Sequence, residues 1–197
     1  PAIHVLDPTM LLDVEDYNAL VADFNPTVFD ISPEHRVTTT LDVKERKLFC
    51  YVLDKDAQKK AFMQMVSEKC NLNIVECMPK DFRAQEVFEI CPDDCTFPPV
   101  ELWLQSFRDA DMVVADSFHG TVFSIIYNKP FWVLGNPGRG MARFHSLLKM
   151  FGLEDRLVTP DKYDSIDINA PINWDAVNAR REQLKQMSLD FLKTNLK

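Results

Sequence analysis

Residues 111–135 read DMVVADSFHGTVFSIIYNKPFWVLG. The run at 112–115 is short and continuously apolar, which is typical of a strand covered on both faces. Residues 119–128 are longer and nearly all apolar, which predicts a buried helix. Residues 131–134 form another short apolar run and predict a second strand. Because strand, helix and strand follow one another with short connections, the segment predicts a parallel β–α–β unit.

The same alternation extends to both sides of this unit. It predicts strands at 2–6, 48–53, 72–77 and 155–158, and helices at 54–70, 98–110, 141–152 and 174–196. Alternating strands and helices indicate an α/β fold with a doubly wound, mainly parallel, Rossmann-like sheet. We expect one domain over residues 1–197 that ends in a C-terminal helix at 174–197, with connections at 78–99 and 159–173. The apolar stripe of that last helix could pack on this domain, on a further lobe or on a partner.

The composition limits the classes of function that the protein can have. Hydrophobic residues make up 46% of the 197 residues and charged residues 26%, as in ordinary globular proteins. A net charge of −8 argues against a nucleic-acid partner, which needs a basic face. No apolar run is long enough for a transmembrane segment. The opening PAIHVLDPTM lacks the pattern of a signal peptide and begins inside a strand-like run, so we expect a piece of a longer protein.

The cysteines favour a reducing compartment, because there are five and they lack the rhythm of a disulfide framework. We therefore expect a cytoplasmic protein, either free or at the inner membrane surface. Three residues separate Cys91 from Cys95, but two thiolates without a second pair do not make a zinc site. No metal and no cofactor are predicted.

The first candidate site is the loop at 116–120, because ligands of such sheets bind where strands end and helices begin. Ser117 or Asp116 can cap the following helix, whose first amides suit an anion. Gly120 permits close approach of backbone or ligand. His119 in this position can donate to an anion or transfer a proton near neutral pH. The alternative is a histidine that bonds a neighbouring carbonyl and has no part in catalysis.

The second candidate is the loop GNPGRG at 135–140, which follows the next strand. Its glycines, together with Arg139 and Arg143, can seat a phosphate or carboxylate through backbone amides and guanidinium groups. The spacing is not that of the dinucleotide fingerprint. A simple turn with two solvated arginines is the alternative. The turn at 7–9 could also face the crevice, whereas His4, His35 and His145 have little supporting context.

The core DSFHG…NKPF, the following GNPGRGMARFHSLLKMFGLEDRLV and the opening LDPTMLL resemble the C-terminal half of the polysaccharide pyruvyl transferases. The similarity runs from residue 7 to about 158. It implies one lobe of a GT-B-like enzyme, with an N-terminal lobe elsewhere. It also implies transfer of the enolpyruvyl carbons of phosphoenolpyruvate to two sugar hydroxyls as a ketal, with release of phosphate. The acceptor would be a glycan or lipid-linked saccharide precursor of a bacterial cell-surface polysaccharide or exopolysaccharide.

The resemblance also assigns roles to residues. His119 matches the family's histidine and would be the general acid that protonates the vinyl carbon. Lys129 matches the lysine of the KP pair and, with the arginines, would hold carboxylate and phosphate. Many members carry arginine at the position of Ser117, so we expect Arg139 or Arg143 to supply that cation here. The implied substrate-binding set is Ser117, Gly120, Thr121, Lys129, Asn136, Arg139 and Arg143.

Two other functions fit the same architecture. A nucleotide-sugar glycosyltransferase of GT-B type would need a base and ribose site, and Glu154 and Asp155 show no clear ribose-binding pattern. A non-catalytic glycan- or protein-binding module would tolerate replacement of His119.

Overall fold

The computed structural model describes residues 3–24, 46–79, 97–135 and 140–196. Within them lies a five-stranded sheet in which every neighbouring pair is parallel. The strand order is β2-β1-β3-β4-β5. The strands are β1 (Lys47–Tyr51), β2 (Asn73–Glu76), β3 (Met112–Ala115), β4 (Phe131–Leu134) and β5 (Leu157–Val158). The predicted α/β fold with a doubly wound parallel sheet is therefore confirmed.

Helices connect and flank these strands. They are α1 (Val14–Leu20), α2 (Ala57–Cys70), α3 (Val100–Asp109), α4 (Phe118–Ile126), α5 (Met141–Phe151) and α6 (Trp174–Asn195), with 3-10 turns at Pro8–Leu11, Glu154–Arg156 and Pro160–Lys162. None of the helices described here is both long enough and apolar enough to cross a membrane.

Polar caps and glycines set the ends of these helices. The Asp56 side chain accepts from the amide of Lys59 at the start of α2, and Asn173 accepts from that of Ala176 at the start of α6. Such caps satisfy amides that a helix cannot pair internally. Gly152 ends α5 in the left-handed region with φ of 66°, which a glycine adopts without steric strain.

Apolar layers cover both faces of the sheet. Phe49, Val113 and Val133 belong to a core shared with helices of one face, including α3, α4 and α5. Their neighbours in the strands point to the opposite face, where they pack against α2 and the segment around Tyr163 and Ile168. This burial on both sides explains why the strands read as continuous apolar runs.

The chain reverses its winding direction between β1 and β3. The crossover from β1 through α2 leads to β2 on one side, whereas β3, β4 and β5 follow on the other. Tyr51 at the end of β1 is in register with Ala115 at the end of β3. Sheets of this class bind ligands at such a switch point, outside the carboxyl ends of the strands. The loop that carries His119 begins there.

The N-terminal segment differs from the prediction. Its described residues from 3 to 7 form no strand. Instead, the amide of Leu6 donates to Ser188 Oγ of α6 at 3.0 Å, and the 3-10 turn Pro8–Leu11 follows. The apolar stripe of α6, with buried Val177 and Leu184, packs on this domain, one of the three arrangements considered.

Candidate functional site

His119 lies in the first turn of α4, at the carboxyl end of β3. The helix begins there because Ser117 caps it: its side chain accepts from the amide of Gly120 at 2.9 Å. Ser117 is buried, whereas the His119 side chain is 55% exposed. The imidazole therefore faces the crevice at the switch point, on a helix N-terminus with partial positive charge.

A carboxylate accompanies the histidine. His119 Nε2 lies 3.7 Å from Asp7 Oδ2, a separation at which protonated imidazole and carboxylate attract each other. The other oxygen, Oδ1, accepts from the amide and the hydroxyl of Thr9 at 3.0 and 2.6 Å. Because these bonds hold one oxygen in the turn, the second oxygen is directed to the histidine.

A guanidinium group contacts the ring of Phe118, the neighbour of His119. The rings of Phe118 and His119 pack edge to face with centroids 5.5 Å apart. Arg143, in the first turn of α5, places its Cζ 5.5 Å from the centroid of the Phe118 ring. Phe118 thus contacts both the imidazole and the guanidinium group, as expected of an aromatic ring beside a cation.

A cavity of about 490 Å³ opens beside the histidine. Rings from α1, β1, α3 and α4 contribute to its lining, together with the exposed Leu20, Phe97 and Val100. We call this space the aromatic cavity; its lining includes Tyr17, Tyr51, Phe97, Trp103, Phe123 and His119. Its volume falls in the range of small-molecule sites.

A buried ion pair holds the loop at 116–120 in place. Asp116, which is fully buried, accepts from Lys59 Nζ at 2.7 Å and from the amides of Leu53 and Asp54 at 2.6 and 3.0 Å. The Lys59 ammonium also donates to the Asp54 carbonyl at 2.9 Å. These bonds tie the loop after β1 to the residue that precedes the cap of α4.

Two predicted substrate-binding residues are buried within α4. A Cβ on Gly120 would lie 2.8 Å from both Ala115 Cβ and Ser117 Oγ, so the glycine allows the helix to approach β3 closely. Thr121 is fully buried, and its hydroxyl donates to the Ser117 carbonyl at 3.1 Å. Both residues shape the loop beside His119.

The structure does not bring Lys129 to this site. It precedes β4, at the amino edge of the sheet, and His119 lies seven residues before the last residue of α4, which is about 10 Å along the helix axis. Its Nζ donates to the Arg108 carbonyl in the last turn of α3 at 2.7 Å. Burial lowers the pKa of Lys129. Asn136 and Arg139 lie outside the described residues.

Comparison with known proteins assigns the family. Residues 1–138, well over half of the chain, match the family described as polysaccharide pyruvyl transferase. The chain belongs to the polysaccharide pyruvyl transferase family. A search of curated proteins gives no significant match. Among solved structures, the crystal structure of the "Glycotransferase of kitacinnamycin" matches with a TM-score of 0.47 and 14% identity, over 78% of this chain and 43% of that chain. The chain thus spans less than half the length of that structure.

Several residues of the site in this member of the polysaccharide pyruvyl transferase family were not predicted from the sequence. Asp116 was considered only as a cap, and Lys59 gave no signal because it lies 57 residues away on an amphipathic helix. Trp103 and Tyr51 were interpreted as parts of a helix and a strand without a role in binding. A carboxylate directly after a fully apolar strand was the one available sign of a buried partner.

Proposed function

We propose that this member of the polysaccharide pyruvyl transferase family transfers the pyruvyl group of phosphoenolpyruvate to hydroxyls of a saccharide, with His119 as the general acid. The observation that carries the proposal is the position of His119, exposed at the switch point on a helix N-terminus and 3.7 Å from Asp7. A titratable ring in this position can deliver a proton to a substrate in the crevice.

In this proposal His119 transfers the proton, whereas the cations bind the anionic groups of the donor. His119 gives a proton to the methylene carbon of phosphoenolpyruvate, which becomes a methyl group, and the neighbouring carbon becomes cationic. A sugar hydroxyl attacks that carbon and gives its proton to the imidazole of His119, and a second hydroxyl then displaces phosphate, which takes that hydroxyl's proton, to close the ketal. The Asp7 carboxylate attracts the protonated imidazole from 3.7 Å.

Arg143 supports the anionic end of the donor in this proposal. It lies in the first turn of α5 and contacts the face of Phe118, whose edge meets His119. Guanidinium groups bind carboxylate and phosphate with paired hydrogen bonds. Ser117 caps α4 and offers no charge, so the cation that many relatives place at that position is supplied from α5.

The experiment measures phosphate release from phosphoenolpyruvate in the presence of saccharide acceptors. We expect His119→Ala to lower turnover by ~10²–10⁴-fold, the usual contribution of a general acid. His145→Ala is the matched control, because His145 is also exposed but lies in the middle of α5 rather than at a helix N-terminus. Equal turnover in the His119 variant and the native protein would remove His119 from the mechanism. Binding of uridine nucleotides without a response to phosphoenolpyruvate would favour a glycosyltransferase.

A further inference from the structure

The aromatic cavity and Arg143 are formed by different elements near His119. The cavity is formed with α1 and α3, and His119 is part of its lining. Arg143 is on α5 and contacts the ring of Phe118, which packs against His119. The imidazole therefore lies beside an apolar space, and its neighbour Phe118 contacts a cationic group.

Apart from His119, the described lining of the aromatic cavity has no side chain that is charged at neutral pH. Among the described residues that line it there is no Lys, Arg, Asp or Glu. Cys77 also contributes, and burial raises the pKa of its thiol to about 12, so the thiol stays uncharged at neutral pH. An anion with two charged groups placed here would lose its hydration with no lysine or arginine of the described lining to pair with, which is strongly unfavourable. Phosphoenolpyruvate, which carries a phosphate and a carboxylate, does not suit this space.

The rings of the cavity are fixed before any ligand arrives. The ring of Trp103 packs edge to face against those of Tyr51 at 5.4 Å, Phe107 at 4.8 Å and Phe123 at 4.8 Å. Tyr17 is held by the bond from its hydroxyl to the Thr9 carbonyl at 2.7 Å. A rigid wall loses little conformational entropy when a ligand packs on it.

We propose that the aromatic cavity is the acceptor subsite and takes the uncharged ring of the sugar that receives the pyruvyl group. This inference rests on the proposed function. A sugar ring has apolar C–H faces and a polar edge of hydroxyls. Its faces match the flat rings of Trp103 and Phe97, and its edge matches the imidazole of His119, where the hydroxyls must react.

Binding of neutral sugars to the protein tests the subsite without any turnover. The probes are the methyl pyranosides of glucose, galactose and mannose, followed by saturation-transfer NMR and titration. We expect Phe97→Ala to weaken binding of the best probe by roughly tenfold, since burial of a phenyl ring contributes at least that much. Val100→Asp places a charge in the lining and abolishes binding, while the carboxylate at the N-terminus of α3 favours the helix.

The matched control is Met187→Asp, since Met187 is an exposed apolar residue of α6 outside the cavity lining. It should bind the probe like the native protein. If the native protein binds none of the three pyranosides, or if the Phe97 and Val100 variants bind them unchanged, the proposal is wrong. Binding of octyl glucoside in the cavity without binding of methyl glucoside also overturns it, because the space would then take an alkyl chain.

Kinetics separate this proposal from the proposed function. If both hold, Phe97→Ala raises KM for the acceptor by roughly tenfold and leaves KM for phosphoenolpyruvate unchanged, whereas Arg143→Met does the reverse. If sugars bind and the cavity variants lose them while phosphoenolpyruvate releases no phosphate with any acceptor, the sugar subsite stands and pyruvyl transfer is wrong. If phosphate is released but cavity variants leave KM for the acceptor unchanged, the acceptor lies elsewhere.

Discussion

Lys59 Nζ lies 2.7 Å from Asp116 Oδ2, and both side chains are buried, with 6% and 0% of their surfaces exposed. The pair connects α2, on one face of the sheet, to the residue that precedes the cap of α4 on the other. Because the Asp116 carboxylate also accepts two backbone amides, its negative charge is fully paired at the switch point. The position of His119 therefore depends on an ion pair whose two side chains are buried.

Removal of the lysine from this pair should be strongly destabilising. We expect Lys59→Met to lower the free energy of unfolding by ~3–5 kcal/mol, because Asp116 is left as an uncompensated buried charge. Lys55→Met is the matched control: Lys55 pairs with Glu76 at 2.8 Å with both side chains about one-third exposed, and its loss should cost less than ~1 kcal/mol. Urea denaturation measures both. Similar losses in the two variants would show that burial does not set the strength of the Lys59 pair.

The carboxylate beside His119 should affect turnover modestly. Asp7→Asn retains an oxygen for the two bonds from Thr9 but removes the charge that faces the imidazole. We expect kcat to fall about two- to fivefold, since a partly exposed ion pair contributes ~0.2–1 kcal/mol. Asp13→Asn is the control, because Asp13 pairs with Lys185 of α6 and should change stability alone. A larger loss of kcat in the Asp13 variant would contradict this role of Asp7.

Replacement of Gly120 and of Gly152 by alanine should destabilise the protein for different reasons. Gly120→Ala forces a methyl group to within 2.8 Å of Ala115 Cβ and the capping oxygen, so we expect ~1–3 kcal/mol of destabilisation and a loss of turnover. Gly152→Ala has open space around the new methyl group and should cost ~1 kcal/mol through its φ of 66° alone, with turnover retained. Unfolding and phosphate-release assays on both variants distinguish crowding at the site from backbone strain far from it.

Lys129 and Arg143 provide a direct test of where the donor binds. Lys129 is bonded to the end of α3 at the amino edge of the sheet, so Lys129→Met should lower the melting temperature and leave KM for phosphoenolpyruvate unchanged. Arg143→Met should raise that KM and leave the melting temperature nearly unchanged, because Arg143 is exposed. A raised KM for phosphoenolpyruvate in a stable Lys129 variant would return this lysine to the substrate-binding set.

The alkaline stability of the protein should depend on Tyr163. Burial raises the pKa of its hydroxyl from 10.0 to about 12, so the folded state keeps a proton that the unfolded state releases. This contribution to stability is complete below pH 10 and disappears as the pH approaches 12. Tyr163→Phe should therefore flatten the decline of the unfolding free energy in that window, as measured by urea titrations at successive pH values.

Tyr17→Phe serves as the comparison at neutral pH. The Tyr163 hydroxyl is buried without a hydrogen-bond partner in the described part of the chain, so its removal should be neutral or stabilising. The Tyr17 hydroxyl donates to the Thr9 carbonyl, and its removal should cost ~1 kcal/mol. A greater loss in the Tyr163 variant would mean that its hydroxyl has a partner in solution.

The fold could be predicted from the sequence because a buried strand appears in the sequence as a continuous run of apolar residues. The runs at 112–115 and 131–134 are apolar at every position since each strand is covered on both faces, and the structure has β3 and β4 at those residues. Helix ends are local features as well, because caps such as Asp56 and Gly152 act within a few residues of their own position.

The site was less predictable because it depends on contacts between distant segments. The position of His119 after β3 was predicted, but its neighbour Asp7 comes from the start of the chain and the Trp103 ring from α3. The strand prediction at 2–6 was wrong because the apolar residue Leu6 is buried against α6 rather than in the sheet. An apolar pattern reports that a residue is covered and does not report which element covers it.

The bond between Leu6 and Ser188 has a consequence for how the protein is made. Asp7 is held next to residues that bond α6: Ser188 accepts from Leu6, and Arg181 and Lys185 bond the carbonyl of Leu12 and the carboxylate of Asp13. Ser188 follows Leu6 by 182 positions, so this anchor cannot form until α6 has been synthesised. A nascent chain without α6 can form the sheet and place His119, yet it lacks the anchor that brings Asp7 to the imidazole.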